Sequence, residues 1–230
     1  MSTIPMRVSG AEALILSLIE EGVDTIFGYP GGAIMPVYDA LYDYRDRVRH
    51  ILVRHEQGAA HAAEGYARVT GRAGVCFATS GPGATNLVTG IADAMIDSIP
   101  MVCITGQVSS PLLGTDAFQE SDVIGISIPI TKWNFQITSA DEIPGAIAQA
   151  FYIAQTGRPG PVLLDITKDA QFGEVDFEYK KCTKIRSYLP EIPVDPFKVK
   201  EAAELIDASQ KPLLLFGQGV VIARAEKELR

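Results

Sequence analysis

Residues 50–80 read HILVRHEQGAAHAAEGYARVTGRAGVCFATS. An apolar run, His50 to Arg54, breaks at His55-Glu56-Gln57. An alanine-rich segment, Gln57 to Val69, is closed by Gly71, and a second apolar run, Gly74 to Thr79, ends at Ser80. Short apolar runs bounded by polar residues and glycine are strand signals, and the longer alanine-rich segment with a glycine stop is a helix signal. Strand, helix and strand in so few residues make a βαβ unit, which requires parallel pairing.

The same alternation continues outward. Ser9 and Glu12 have the spacing of a capping box, and the apolar run Ala13 to Ile19 predicts a helix that stops at Gly22. A strand near Thr25 to Phe27 leads into Gly28-Tyr29-Pro30-Gly31-Gly32, and a helix over about Met35 to Tyr44 follows. Beyond Thr79, the turn Ser80 to Gly83 opens a helix, Ala84 to Ile96. Then come a strand, Met101 to Thr105, an irregular stretch, Gly106 to Asp116, a strand near Phe135 to Thr138, a helix, Ile143 to Gln155, and a strand, Val162 to Ile166. The expected fold is an α/β domain with a mainly parallel sheet. In such sheets, ligands bind beyond the carboxyl ends of the strands. Gly28–Gly32, His55–Gln57 and Ser80–Gly83 leave those ends and so mark the expected site.

From about Gln171 charge rises, and Pro190, Pro193 and Pro196 punctuate the chain, as in a linker. A second α/β domain is expected to open with a helix near Phe197 to Ala208, a strand Leu213 to Phe216 and the turn Gly217-Gln218-Gly219. One such beginning cannot bury a core, so this part reads as the start of a longer domain and the chain as a fragment.

With 230 residues and 47% hydrophobic content, the chain can bury a large core. A net charge of -8 argues against nucleic acid or an anionic membrane as the main partner. No apolar run reaches the length of a membrane span. Met1 to Ser9 has no basic region followed by an apolar core, so no signal peptide is expected. Three cysteines without metal spacing, Cys76, Cys103 and Cys182, read as thiols of a reducing cytoplasm.

Two readings of Glu56 stand level on position alone. A carboxylate opening a helix complements the positive end of the helix dipole. A carboxylate at a strand end also faces the ligand crevice and is placed for proton exchange. The small residues Ala59, Ala60, Ala62 and Ala63 leave room for a ligand and favour the second reading. Ser80-Gly81-Pro82-Gly83-Ala84-Thr85-Asn86 has neither the Gly-Lys-Ser/Thr of a P-loop nor a third glycine for G-x-G-x-x-G, so it reads as a turn shaping a crevice. Gly31-Gly32 reads either as a flexible turn or as backbone approaching a ligand. His50, His55 and His61 form no cluster with carboxylates at metal-ligand spacing, so no metal ligand is expected in this chain.

Five segments together resemble the acetolactate (acetohydroxyacid) synthase catalytic subunit: residues 27–32, 54–68, 78–87, 114–120 (GTDAFQE) and 157–163 (GRPGPVL). The resemblance covers essentially the whole chain. It implies a doubly wound, parallel-sheet domain that binds the pyrimidine of thiamine diphosphate, with helices on both faces, over residues 1–168. A linker over 169–195 and the truncated start of a FAD-associated α/β domain over 196–230 would follow. Glu56 would be catalytic, hydrogen-bonding N1′ of the cofactor's aminopyrimidine. Tyr29, Pro30, Gly32, Thr79, Pro82, Asn86 and Gln119 would line the cofactor. Phe118 and Lys168 would lie near a 2-oxo acid substrate, and Arg158 would contact FAD. The Mg2+ ligands and the diphosphate grip would lie outside these residues. The site would form between two subunits of a homodimer or homotetramer, with a regulatory subunit as a possible further partner. Ile128 and Ser109 depart from the family, standing where many members have arginine and several have proline. Other thiamine-diphosphate decarboxylases or oxidases, and an inactive dimerisation module, are the rival readings.

Overall fold

The computed structural model describes residues 6–230. Met1 to Pro5, part of the segment read for a leader, lie outside the described residues. The chain divides into two units, Met1–Pro190 and Glu191–Arg230.

The first unit is built on a six-stranded, wholly parallel sheet. Its strands are β2 (Thr25–Gly28), β3 (Arg49–Leu52), β4 (Gly74–Ala78), β5 (Met101–Gln107), β6 (Trp133–Ile137) and β7 (Pro161–Thr167). They lie in the order β3-β2-β4-β5-β7-β6. The chain steps outward from β2 to β3, then returns across β2 to β4. The gap between β2 and β4 is therefore the switch point at which such sheets leave a crevice.

Two cores lie on opposite faces, because successive strand residues point opposite ways. Val75, Phe77, Val102 and Ile104 pack under α1 (Gly10–Glu20), α2 (Met35–Asp43) and α7 (Ile143–Gln155). Cys76, Ala78, Met101 and Cys103 pack under α3 (Glu56–Thr70) and α5 (Val88–Asp97). The sequence-expected helix over Ala84 to Ile96 is divided: α4 (Pro82–Thr85) precedes α5, and Asn86 stands at the break.

Helix caps follow the sequence closely. Ser9 Oγ accepts from Glu12 N at 3.1 Å. The Glu12 carboxylate does not complete the capping box; it accepts from Tyr44 Oη at 2.7 Å. Gly71, at φ 70°, closes α3.

Beside the main sheet, β1 (Met6–Ser9) pairs antiparallel with β8 (Glu174–Phe177). Neither strand was expected, since each is four residues long and β8 alternates charged and apolar residues within a polar stretch.

The second unit holds α9 (Pro196–Asp207), α10 (Gln218–Ile222) and α11 (Glu226–Leu229). Asp195 caps α9, accepting from Phe197 N at 2.9 Å. The expected strand Leu213–Phe216 does not form. No described segment offers a backbone partner there, and a strand without a neighbour leaves its N–H and C=O groups unpaired. No helix among the described residues is long and apolar enough to cross a membrane.

Candidate functional site

Glu56 is the first residue of α3, directly beyond the end of β3. His55 caps this helix, its Nδ1 accepting from Gln57 N at 3.2 Å. The Glu56 side chain turns inward, leaving the residue 7% exposed. Asn86 Nδ2 donates to Glu56 Oε2 at 2.9 Å. Oε1 takes no hydrogen bond among the described residues and lies 3.4 Å from where a Cβ at Gly83 would stand. Glycine at 83 therefore keeps open the space in front of the carboxylate.

Thr79, at the end of β4, joins the neighbouring turns. Its Oγ1 accepts from Ala33 N at 3.1 Å. A Cβ at Gly31 would stand 2.5 Å from Thr79 Cγ2, and one at Gly83 would stand 2.7 Å from the same atom. Both turns thus pack backbone directly against Thr79. Gln171 holds Ala33 from the other side, donating from Nε2 to Ala33 O at 2.8 Å and to Ile166 O at 3.0 Å. At Gly32 no atom lies within 4 Å of a built Cβ, and the residue is exposed.

Across the cleft, Gly81 has φ 58°, and a Cβ there would meet Gln119 O at 2.7 Å. Gln119 itself has φ 60° and Asp116 φ 57°, left-handed conformations that cost non-glycine residues energy. The loop carrying them is closed by Glu120, whose carboxylate accepts from Gly114 N at 2.8 Å and from Asp116 N at 3.0 Å. Phe118 projects from it, 87% exposed. Behind Glu56, the buried Tyr38 hydroxyl has no hydrogen-bond partner. Its phenol is pushed up first by burial, then by the charges of Cys76 and Glu56.

This crevice, a buried carboxylate flanked by glycine turns at the switch point of a parallel sheet, coincides with a family match. Residues 8–126 match the family described as "Thiamine pyrophosphate enzyme, N-terminal TPP binding domain". The chain belongs to the thiamine pyrophosphate enzymes. It is 57% identical to the acetolactate synthase large subunit of Corynebacterium glutamicum over 229 residues, covering 100% of this chain and 36% of that protein. It is 56% identical to a probable acetolactate synthase large subunit of Methanocaldococcus jannaschii, covering 96% and 38%. With the acetolactate synthase isozyme 2 large subunit of Escherichia coli it shares 54% identity, covering 97% and 40%. The chain thus spans little more than a third of the length of these curated relatives.

Within this thiamine pyrophosphate enzyme, most of the sequence-derived candidates share the carboxyl edge of the sheet. Tyr29, Pro30 and Gly32 follow β2, Thr79, Pro82 and Asn86 follow β4, and Phe118 and Gln119 lie in the long loop after β5. Lys168 follows β7 directly as the first residue of α8 (Lys168–Phe172) and is half-buried.

Arg158 is not brought to this edge. It precedes β7 at the amino end of the sheet, and its guanidinium donates to Ser98 Oγ at 2.7 Å and to Ile96 O at 2.9 Å, closing the end of α5. Of the two departures from the family, Ser109 precedes the 3-10 turn Ser110–Leu112 and Ile128 is 64% exposed.

Sequence reading missed several contributors. Gln107 and Asp165 are polar residues at the end of, or inside, apolar strand segments, and that misfit was the available signal. Gln171, buried in the short helix Lys168–Phe172, left no such signal. Sequence spacing also concealed a cluster. His61 Nδ1 lies 3.4 Å from Glu64 and 3.8 Å from Asp93, which comes from α5. Arg68 already pairs with both Glu64 and Asp97, so this group is an ion-pair network tying α3 to α5.

Proposed function

We propose that the complete protein condenses two molecules of pyruvate into 2-acetolactate and CO2, or pyruvate and 2-oxobutyrate into 2-aceto-2-hydroxybutyrate, in branched-chain amino acid synthesis. This chain would contribute the catalytic glutamate. The observation that carries the proposal is the Glu56 carboxylate, buried at the switch point, anchored through one oxygen by Asn86 and left open at the other. The names of the relatives support the choice of reaction.

The cleft suits the pyrimidine end of thiamine diphosphate. An acceptor oxygen without a donor faces a space kept free by glycine at 83, as a ring nitrogen seeking a carboxylate partner requires. When bound, this cofactor supplies the electron sink for decarboxylation of a 2-oxo acid. Glu56 Oε1 would hold and exchange a proton at the ring nitrogen, and Asn86 would keep the carboxylate in one orientation. Thr79 and Gln171 would fix the Gly31–Ala33 turn, leaving Gly32 open for close approach. Tyr29, Pro30, Pro82 and Gln119 would supply walls. Phe118 would cover the substrate, and the Lys168 ammonium would attract its carboxylate.

For Mg2+ the described cleft offers no carboxylate cluster, so its ligands would belong to other segments. FAD does not find a site in these residues. Arg158 is engaged at the end of α5, and Gly217 to Gly219 lie in the second unit. In the complete protein FAD would therefore be held by other segments. Assembly as a dimer or tetramer with the site between subunits is part of the same proposal, as is a cytoplasmic location. The "large subunit" in the relatives' names supports a smaller regulatory partner.

Glu56→Gln in the complete enzyme, at saturating thiamine diphosphate, should lower acetolactate formation by about 10²- to 10⁴-fold, the usual contribution of a positioned proton-transfer group. A wild-type rate would remove Glu56 from the mechanism. An assay with pyruvate alone separates the rivals, since acetaldehyde in place of acetolactate would mean simple decarboxylation.

A further inference from the structure

Asp165 sits on β7 between β5 and β6, with no exposed surface. Its neighbours along the strand, Val162-Leu163-Leu164 and Ile166, are apolar. Three side chains donate to its carboxylate: Thr105 Oγ1 to Oδ1 at 2.6 Å, and Gln107 Nε2 and Gln136 Nε2 to Oδ2 at 3.0 and 2.9 Å. No cation among the described residues pairs with it. Asp122 is the charged group that acts on it, and its like charge is unfavourable. An apolar residue would complete this strand at less cost, because a buried carboxylate without a counter-ion is expensive. The charge must therefore be kept for what it holds.

It holds Gln107, the last residue of β5. The Gln107 amide nitrogen also donates to Ser121 O at 3.0 Å, and its carbonyl accepts from Val108 N at 2.9 Å. Gln107 is where the chain leaves the sheet, and Ser121 is where the loop ends, directly after Phe118-Gln119-Glu120 and just before the short helix Val123–Ser127. One amide thus closes the base of the loop, and the carboxylate fixes that amide's orientation. Two residues before Ser121, Gln119 presses its backbone against Gly81 in a left-handed conformation. Such a conformation persists only where the surroundings hold it.

We propose that Asp165 is a positioning residue which, through Gln107 and Ser121, sets the loop bearing Phe118 and Gln119 over the cleft. The functional part of this inference rests on the reading of that loop as the wall facing cofactor and substrate. Its structural part does not. An asparagine at 165 preserves the device: its oxygen can face both glutamine amides, and its NH2 can donate to the Thr105 hydroxyl. An alanine cannot.

Hydrogen–deuterium exchange on the 230-residue chain tests the anchor without any activity measurement. Asp165→Ala and Gln107→Leu should raise exchange in residues 112–122 about tenfold or more, as expected for loss of a hydrogen bond to a charged group. Exchange in β4 should not change. Asp165→Asn should stay close to the parent. Unchanged loop exchange in Gln107→Leu, which leaves Asp165 held by Thr105 and Gln136, would overturn the proposal. So would exchange that rises equally through β4, β5 and β7, since that is a general loss of sheet stability. In the complete enzyme, Gln107→Leu should raise KM for pyruvate more than it lowers kcat, with Asp165→Asn near the parent. Loose loops with unchanged kinetics would count against the loop's place in the site and leave the anchor standing.

Discussion

Two buried carboxylates divide the work at the level of single residues. Glu56 has one oxygen anchored by Asn86 and one open toward the cleft, the arrangement expected of a group that exchanges a proton. Asp165 has both oxygens filled by neutral donors, the arrangement of a structural acceptor. Burial pushes the Asp165 carboxyl up to about 6. The folded state therefore binds this proton more tightly than the unfolded chain does. Stability from this group is fully present below about pH 4 and falls as pH rises toward 6, by up to about 3 kcal/mol. Asp165→Asn should remove that part of the pH dependence. Urea unfolding of parent and variant between pH 4 and 7 measures it, and parallel curves would contradict the assignment.

At the scale of elements, close packing places Glu56. The alanine face of α3, with Ala59, Ala60, Ala63 and Ala67 buried, lets the helix backbone approach the sheet. A Cβ at Gly74 would collide with the Ala63 carbonyl, and one at Gly90 with the Ala60 side chain. Gly74→Ala should therefore cost at least about 3 kcal/mol, at the upper end of overpacking effects, because the obstacle is backbone. Thermal or urea unfolding should show it, and a cost below about 1 kcal/mol would mean that α3 can lift off the sheet freely. The regular elements were legible in the sequence because their signals are local. The helix Ile143–Gln155 has the expected ends, and the Ser9 and Gly71 caps stand where the spacing put them. The break at Asn86 was not legible, nor was the pairing of β1 with β8, since each depends on a distant partner.

For the molecule as a whole, the cleft would read one end of the proposed cofactor. It has a carboxylate, an asparagine, glycine turns and an exposed aromatic, but no metal-binding carboxylates for a diphosphate among the described residues. The 230-residue chain alone should bind thiamine diphosphate weakly or not at all, even with magnesium. Calorimetric titration checks this, and tight magnesium-dependent binding would overturn the division of the site between segments. The second unit follows the same logic: none of its described side chains is buried, and Leu213, Leu214, Leu215 and Phe216 are all exposed.

By itself, the sequence determined the parallel α/β class, the positions of the main strands and helices, and the three loops that edge the cleft. These follow from periodicity, caps and glycine stops, which act over a few residues. From position alone it left Glu56 level between a helix-end charge and a catalyst, and the small neighbours and the family resemblance tipped the reading toward a catalyst. Only the tertiary structure decided that its side chain turns inward, meets Asn86 from beyond β4 and faces a space held open at Gly83. The same holds for Asp165, Gln107 and Gln171. Their roles come from atoms brought together by strand order, and a hydrogen bond across the sheet leaves no periodic trace in the chain.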